Sequence, residues 1–282
     1  MTLRVVRFRN GRGGEAAFPE PVIPDGIPDD RYPDLLRHWF LGSRARSYLS
    51  RRRYREVTRL LRGTPKGRVL DAGCGWGYNL FLLEREGMAP VGIDIVQNDF
   101  LAARLIALAN GYEAQLAGAD ISALPFAANT FTAVAAVETY EHIFEPDRAG
   151  AVREAWRVLR PGGALAISTP NYHSIVETGK RVIVRAGILK RLFPAMCYPA
   201  ESVKREDYHP YRYHKPSPRG EIARLLEDAG FRVERVRTVI FIWKNVPDPL
   251  FPLARFIESI LERTPVAREL ASTLILLARK PL

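Results

Sequence analysis

From Arg68 onward, short apolar runs alternate with stretches of helical spacing, and that order leaves few folds open. Arg68–Ala72, Val91–Ile95, Phe131–Val137 and Ala164–Ser168 read as buried strands. Tyr78–Glu86 and Phe100–Ala109 read as helices closed by Gly87 and by Asn110-Gly111, and Arg148–Leu159 as a third helix. A further strand is expected to end at Ala117–Ile121. Alternation at this spacing predicts right-handed βαβ units on a parallel sheet covered on both faces, an α/β fold. Pro218–Ala229 adds a helix with a Gly230 stop, and Phe231–Ile242 and Ser272–Arg279 add two more strands.

Three stretches stand outside the alternation. Residues 1–65 read as a Gly-, Pro- and Asp-rich leader followed by basic helices, with Leu35, Leu36, Trp39 and Phe40 and then Tyr54, Val57, Leu60 and Leu61 at helical spacing. Within the remaining domain, 66–282, two insertions are expected, at about 172–216 and 243–271. The first carries a Tyr- and His-rich run and the amphipathic piece Lys180–Phe193, and reads as a lid-like loop; the second carries the helix Phe251–Arg263. Charge follows the same division. Residues 31–68 hold twelve Lys/Arg and two Asp/Glu (12 − 2 = +10), and residues 180–215 hold nine and three (9 − 3 = +6). Between them, residues 69–179 hold six and thirteen (6 − 13 = −7). The basic flanks suit a solvated helix face, or an anionic partner such as a charged substrate, a membrane surface or nucleic acid. Cys74 and Cys197 are too few for a disulfide framework, and the basic N-terminus lacks the apolar segment of a signal peptide. A cytoplasmic protein is expected.

The sharpest local signal is Val69-Leu70-Asp71-Ala72-Gly73-Cys74-Gly75-Trp76-Gly77-Tyr78-Asn79, a strand that bends through glycines into a helix. Glycines permit the tight turn and let a ligand approach the main chain, while N–H groups at the helix start face it. A dinucleotide fingerprint would place its third glycine at position 78, where Tyr78 stands. Asp71 ahead of the glycines would repel a pyrophosphate yet suits a ligand with a cationic amine or sulfonium. Asp94 closes the next strand, where ribose hydroxyls are commonly accepted, and Asp120 follows the third strand, well placed for an exocyclic adenine amine. Any one of the three could be a turn or cap aspartate; three in one βαβ series argue for a nucleoside ligand.

VLDAGCGWG, GIDI, GAD, LRPGG (Leu159–Gly163) and AGF (Ala229–Phe231) together resemble class I S-adenosylmethionine-dependent methyltransferases of the type-11 group, with similarity to ubiquinone-pathway O-methyltransferases. The resemblance covers roughly residues 66–242 plus the closing strand. It implies a Rossmann-like seven-stranded sheet with helices on both faces and the last strand antiparallel. It also implies S-adenosyl-L-methionine as cofactor. Asp71, Gly73, Cys74, Gly75 and Gly77 would then border its methionine end, Asp94 its ribose, and Asp120 with Ile121 its adenine, with Ile95 and Glu138 also on the cofactor side. Where the family often has an acid in the fourth strand, this chain has Thr132, to which no function is assigned.

The fourth strand runs into Glu138-Thr139-Tyr140-Glu141-His142-Ile143, a position that borders the ligand in doubly wound sheets. Methyl transfer gains most from proximity and orientation, and a hydroxyl acceptor gains further from a base; His142, with Glu141, is the candidate. The string also resembles metal-assisted O-methyltransferases, including small-RNA 2′-O-methyltransferases. By that likeness Glu138, Glu141, His142 and His214 could hold Mg²⁺ or Mn²⁺, which would lower the pKa of an acceptor hydroxyl. Many type-11 members keep the string without a metal. The run Tyr198–His214 holds four tyrosines and two histidines, so Tyr140, His209, Tyr213 and His214 are candidate acceptor contacts. The cationic pieces Lys180–Phe193 and Phe251–Arg263 suit a peripheral membrane contact that would collect a lipid-like acceptor, or plain core-facing helices. The leading expectation is a methyltransferase acting on a small molecule at a hydroxyl oxygen. An RNA-directed enzyme and a non-catalytic cofactor-binding scaffold that partners another subunit are the alternatives.

Overall fold

The computed structural model describes residues 19–24, 27, 35–185, 205–208 and 213–282. His209, Cys197, Tyr198 and Tyr211 lie outside the described residues, as does the second half of the amphipathic piece Lys180–Phe193. Seven strands form one sheet: β1 (Arg68–Ala72), β2 (Ala89–Asp94), β3 (Gln115–Gly118), β4 (Phe131–Val137), β5 (Leu159–Pro170), β6 (Arg232–Val239) and β7 (Thr273–Arg279), in the order β3-β2-β1-β4-β5-β7-β6. The first five run parallel, while β7 lies antiparallel between β5 and β6. The strand order reverses between β1 and β4, which opens a crevice beyond their carboxyl ends.

The central strands β1, β4 and β7 are largely buried and apolar because both of their faces are covered, whereas the edge strand β6 is mostly exposed and carries Arg232, Glu234, Arg235 and Arg237. Leu70, Ala72, Val134 and Ala136 face one layer, built by α4 (Arg148–Val158) and α6 (Arg219–Asp228). The residues between them along β1 and β4, Val69, Ala133, Ala135 and Val137, face the other layer with Leu49, Val57 and Leu61 of α1 (Arg44–Leu61). Thus α1, although it precedes the glycine turn, is part of the sheet's covering. Helices α2 (Tyr78–Arg85), α3 (Phe100–Ala109), α5 (Ile175–Arg185) and α7 (Phe251–Leu261) complete the long helices among the described residues. None is long and apolar enough to cross a membrane.

Several element boundaries differ from the sequence expectation. The third strand stops at Gly118, so Asp120 sits in the following turn, not in the strand. Arg148–Val158 ends one residue early because Leu159 already pairs with Phe131 and begins β5. Ahead of α1, Leu35–Phe40 forms a separate π-helical turn. Thr132 donates its hydroxyl to the Arg68 carbonyl at 3.1 Å, at the far end of β4 from the crevice.

The basic run on α1 is largely answered from within the fold. Arg51 and Arg55 meet Glu20, Arg53 meets Glu138, Arg59 meets Glu56, and Arg62 meets Glu86. Arg52 pairs with Glu258 (3.1 Å) and Glu262 (2.6 Å) on α7. Helix α7 is inverted relative to the core-facing reading: it buries Glu258 and leaves Leu253, Phe256, Ile257 and Ile260 exposed. Glu258 Oε1 accepts from the Phe241 and Ile242 N–H groups (2.7 and 3.3 Å), and Oε2 from Tyr48 (2.6 Å), Arg52 and Arg255. One buried carboxylate therefore ties α1 to α7 and to the segment after β6.

Removing one member of such a network leaves its partners buried and unanswered, which costs roughly 3–5 kcal/mol. Glu258→Ala should therefore lower the free energy of unfolding by an amount in that range, read as a lower urea midpoint with little change in slope; a midpoint within error of wild type would contradict the keystone role.

Candidate active site

The turn after β1 is built by backbone hydrogen bonds to β2. Gly73 and Cys74 N–H groups both donate to the Ile93 carbonyl (2.8 and 2.9 Å), and the Gly75 N–H donates to Asp94 Oδ2 at 3.0 Å. Gly73, Gly75 and Gly77 all adopt positive φ, which a side chain would strain. At Gly73 a Cβ would also lie 2.3 Å from Thr139 Oγ1, so β4's exit and the glycine turn close on each other only because position 73 has no side chain.

This turn forms one wall of a cavity of about 1050 Å³ at the sheet's switch point. Gly73, Gly75, Asp94, Ile95, Asp120 and Ile121, all expected on the cofactor side, line it. Asp94 uses one oxygen on Gly75 and the other on the Val96 N–H (2.9 Å), so its carboxylate is oriented before any ligand arrives. Asp120 Oδ1 accepts from the N–H and hydroxyl of Ser122 (2.8 and 2.7 Å). Three expected residues stand behind this wall. Asp71 lies beneath the turn, Cys74 Sγ fits against Gly92, and Gly77 caps α2.

Asp71 is 1% exposed, takes a 2.6 Å hydrogen bond from Asn79 on Oδ1, and has no partner on Oδ2. Burial pushes its carboxyl up to about 7, with the Asp94 charge adding and the Asn79 bond opposing. Glu138 ends β4 at φ 53, where Oε1 accepts from Ser168 (2.7 Å) and Oε2 meets Arg53 (2.9 Å).

Beside it, the 3₁₀ turn Tyr140–His142 sends successive side chains in different directions. Glu141 and His142 reach the cavity, whereas Tyr140 turns back into the α4–α6 layer, with the Arg148 guanidinium 4.8 Å from its ring centre. Tyr140 is not among the residues that line the cavity. Nor is Tyr213, whose ring lies against Phe144 and Tyr208. The Tyr213 carbonyl instead takes a 2.6 Å hydrogen bond from His142 Nδ1, and Tyr208 donates its hydroxyl to the His142 carbonyl at 2.8 Å.

Glu141 is buried, accepts from Thr169 Oγ1 (3.0 Å), and lies 3.9 Å from His142 Nε2. Burial pushes its carboxyl well above the usual range, and the nearby Glu138 charge pushes the same way. His214 lines the cavity with its ring 5.3 Å from that of His142. Burial and the charges of His142, Lys180 and Arg53 hold its pKa down to about 3, so the ring is neutral at physiological pH. One donor atom each from Glu141, His142 and His214 lie within 4.8 Å of one another. Sequence reasoning missed the contribution of α1, whose Arg53 and Tyr54 line the cavity, and of Trp243 and Lys244 after β6. The helical spacing of α1 was visible, but its orientation against β4 was not.

Residues 70–167 match the family described as a methyltransferase domain. A ubiquinone biosynthesis O-methyltransferase of Xanthomonas axonopodis pv. citri (strain 306) is 30% identical over 184 residues, 64% of this chain and 70% of the relative. The chain belongs to the class I S-adenosylmethionine-dependent methyltransferases. Among solved structures, the enzyme's fold is similar to the Burkholderia thailandensis 1,6-didemethyltoxoflavin-N1-methyltransferase with bound substrate and S-adenosylhomocysteine. That match has a TM-score of 0.51 and 17% identity, over 83% of this chain and 81% of the other. The [4+2]-cyclase SpnF matches with a TM-score of 0.54 and 22% identity, over 82% and 80%. These likenesses show the fold alone; a cyclase on the same frame makes the reaction a question for the site.

Asp71 carries a testable consequence. Between the ordinary carboxyl value of 3.8 and about 7, the native state holds a proton that the unfolded chain has released. Stability therefore falls as pH rises across that window, by on the order of 4 kcal/mol in total, and the penalty is absent below about pH 4. Asp71→Asn removes it. The variant's melting temperature relative to wild type should rise from pH 4 to pH 8, and a pH-independent difference would contradict the buried carboxyl.

Proposed function

We propose that the enzyme transfers the methyl group of S-adenosylmethionine to a hydroxyl oxygen of a small-molecule acceptor, with His142 as general base. The observation that carries this reading is the His142 Nδ1 hydrogen bond to the Tyr213 carbonyl, which commits the proton to Nδ1 and leaves Nε2 as the basic nitrogen facing the cavity. The O-methyltransferase relative supports oxygen as the acceptor atom.

The residues present fit the cofactor. Asp94 is oriented to accept ribose hydroxyls, Ile95, Asp120 and Ile121 border the adenine, and the open glycines of the turn leave the main chain accessible to the methionine end. Asp71, with Oδ2 unpartnered, supplies negative charge beneath a cationic ligand. Arg53 is placed for the cofactor carboxylate. When bound, the sulfonium supplies an activated methyl with a strong leaving group, so alignment does most of the work. His142 Nε2 takes the acceptor's hydroxyl proton. The Tyr213 carbonyl holds the ring's orientation at Nδ1, while Glu141 lies 3.9 Å from Nε2, past hydrogen-bond distance.

A metal-assisted version is favoured by one observation, the convergence of Glu141, His142 and His214 donor atoms within 4.8 Å. A carboxylate and two imidazoles suit a divalent cation, which would lower the acceptor hydroxyl's pKa. Glu138, the fourth residue of the expected set, is engaged by Ser168 and Arg53.

Calorimetry with S-adenosylhomocysteine should show binding that weakens roughly 10- to 100-fold in Asp94→Ala, the worth of hydrogen bonds to a charged group; unchanged affinity would refute the ribose assignment. His142→Ala should bind S-adenosylhomocysteine like wild type while methylation of a hydroxyl acceptor falls about 10²- to 10⁴-fold. Equal rates would remove the base. Full activity after EDTA treatment would exclude the metal-assisted version, whereas loss reversed by Mn²⁺ would select it.

A further inference from the structure

Helix α7 turns its apolar side outward. Leu253, Phe256, Ile257 and Ile260 recur at helical spacing along one stripe, and each is between 46% and 63% exposed. Leu250, just ahead of the helix, and Val266, just beyond it, extend the exposed apolar surface. The inward face is the polar one. It carries Glu258, held by Tyr48, Arg52 and the Phe241 and Ile242 N–H groups, and Arg255, which pairs with the same carboxylate. Turning the helix to bury the stripe would strip Glu258 of these partners, so the fold commits the apolar side to the outside. Single apolar residues at a surface need no account, but a continuous stripe along one helix marks a contact. Trp243 and Leu270 are also exposed and line the cavity, so apolar surface continues from this region to the cavity itself.

Arginines bracket the stripe. The Arg44 guanidinium lies 4.9 Å from the ring centre of Phe251 at the start of α7, while Arg263 and Arg268 follow its last turn. All three are exposed, and among the described residues none is in an ion pair. The carboxylates of residues 243–271 are Asp248, Glu258, Glu262 and Glu269. Glu258 and Glu262 meet Arg52 on the inward side, Glu269 meets Arg219, and Asp248 accepts from the Arg44 N–H at 3.0 Å. A second copy of the chain is a poor occupant on this account. Symmetric contact through the stripe would set Arg44 of one copy against Arg263 and Arg268 of the other, or each against itself, and like charges would meet either way. An anionic lipid surface answers both features at once. Acyl chains accept the apolar stripe, arginines at its ends reach the headgroups, and the net charge of +11 draws the protein to the surface.

We propose that α7 docks the protein on an anionic lipid bilayer, its apolar stripe entering the headgroup–acyl boundary while Arg44, Arg263 and Arg268 meet lipid phosphates. Docking of this kind lies flat on the membrane and needs no spanning helix. It stands on the exposed stripe and its arginines, independently of the methyl-transfer reading.

The test is co-sedimentation of the full-length protein with vesicles of phosphatidylcholine alone or containing about 30% phosphatidylglycerol. Wild type should partition about tenfold or more in favour of the anionic vesicles. Phe256→Ser combined with Ile260→Ser should weaken that partitioning about tenfold or more, with an unchanged urea midpoint because both side chains are exposed. Arg263→Gln combined with Arg268→Gln should weaken binding to the anionic vesicles about tenfold while binding to phosphatidylcholine stays as in wild type. Absence of binding to the anionic vesicles overturns the proposal. So does binding that the Phe256→Ser, Ile260→Ser protein retains in full, which would be the general attraction of a basic protein and not docking by α7. A dimer in vesicle-free solution, read by sedimentation velocity and dissociated by the same two substitutions, would also overturn it by giving the stripe to a second copy.

Discussion

Everything at the ligand end of this enzyme depends on how the chain leaves β1. The turn is held to β2 through the Ile93 carbonyl and the Asp94 carboxylate, and it can lie there only because Gly73 admits Thr139 from the end of β4. Three strand ends are thereby locked together through a position that tolerates no side chain. Asp94 and the glycine N–H groups are set by these bonds before a ligand arrives, which reduces the ordering cost of binding. The same closure brings Glu138, Glu141 and His142 to the cavity that the turn borders.

Buried charge is the second organising theme, and it is used in two ways. Beneath the turn, burial pushes the Asp71 carboxyl up to about 7. Between α1 and α7, Glu258 is buried as an ion because arginines, a tyrosine and two backbone N–H groups answer it fully.

Motif residues and tertiary neighbours divide the site between them. The glycines, Asp94, Asp120 and the Glu141–His142 pair were legible because each sits at a strand end, where alternation of elements fixes the neighbourhood. Tyr140 stands behind the lining because a single 3₁₀ turn decides which of three consecutive side chains faces the cavity, and composition carries no record of that rotation. Tyr213 was chosen for its ring, yet its carbonyl is what touches His142. The arginines of α1 looked like an external surface in one dimension. In three, their carboxylate partners at Glu20, Glu138, Glu258 and Glu262 come from distant parts of the chain.

By itself, the amino-acid sequence determined the α/β class, the parallel order of the first strands and the glycine turn with its acids. These follow from local periodicity and from backbone conformations that only glycine adopts freely. Tertiary structure alone decided that α1 and the segment after β6 close the cavity, that Asp71 lies dry beneath the turn, and that His142, His214 and Glu141 converge. Those outcomes depend on contacts between residues far apart in the chain, whose burial and mutual charge exist only once the sheet and its two covering layers have formed.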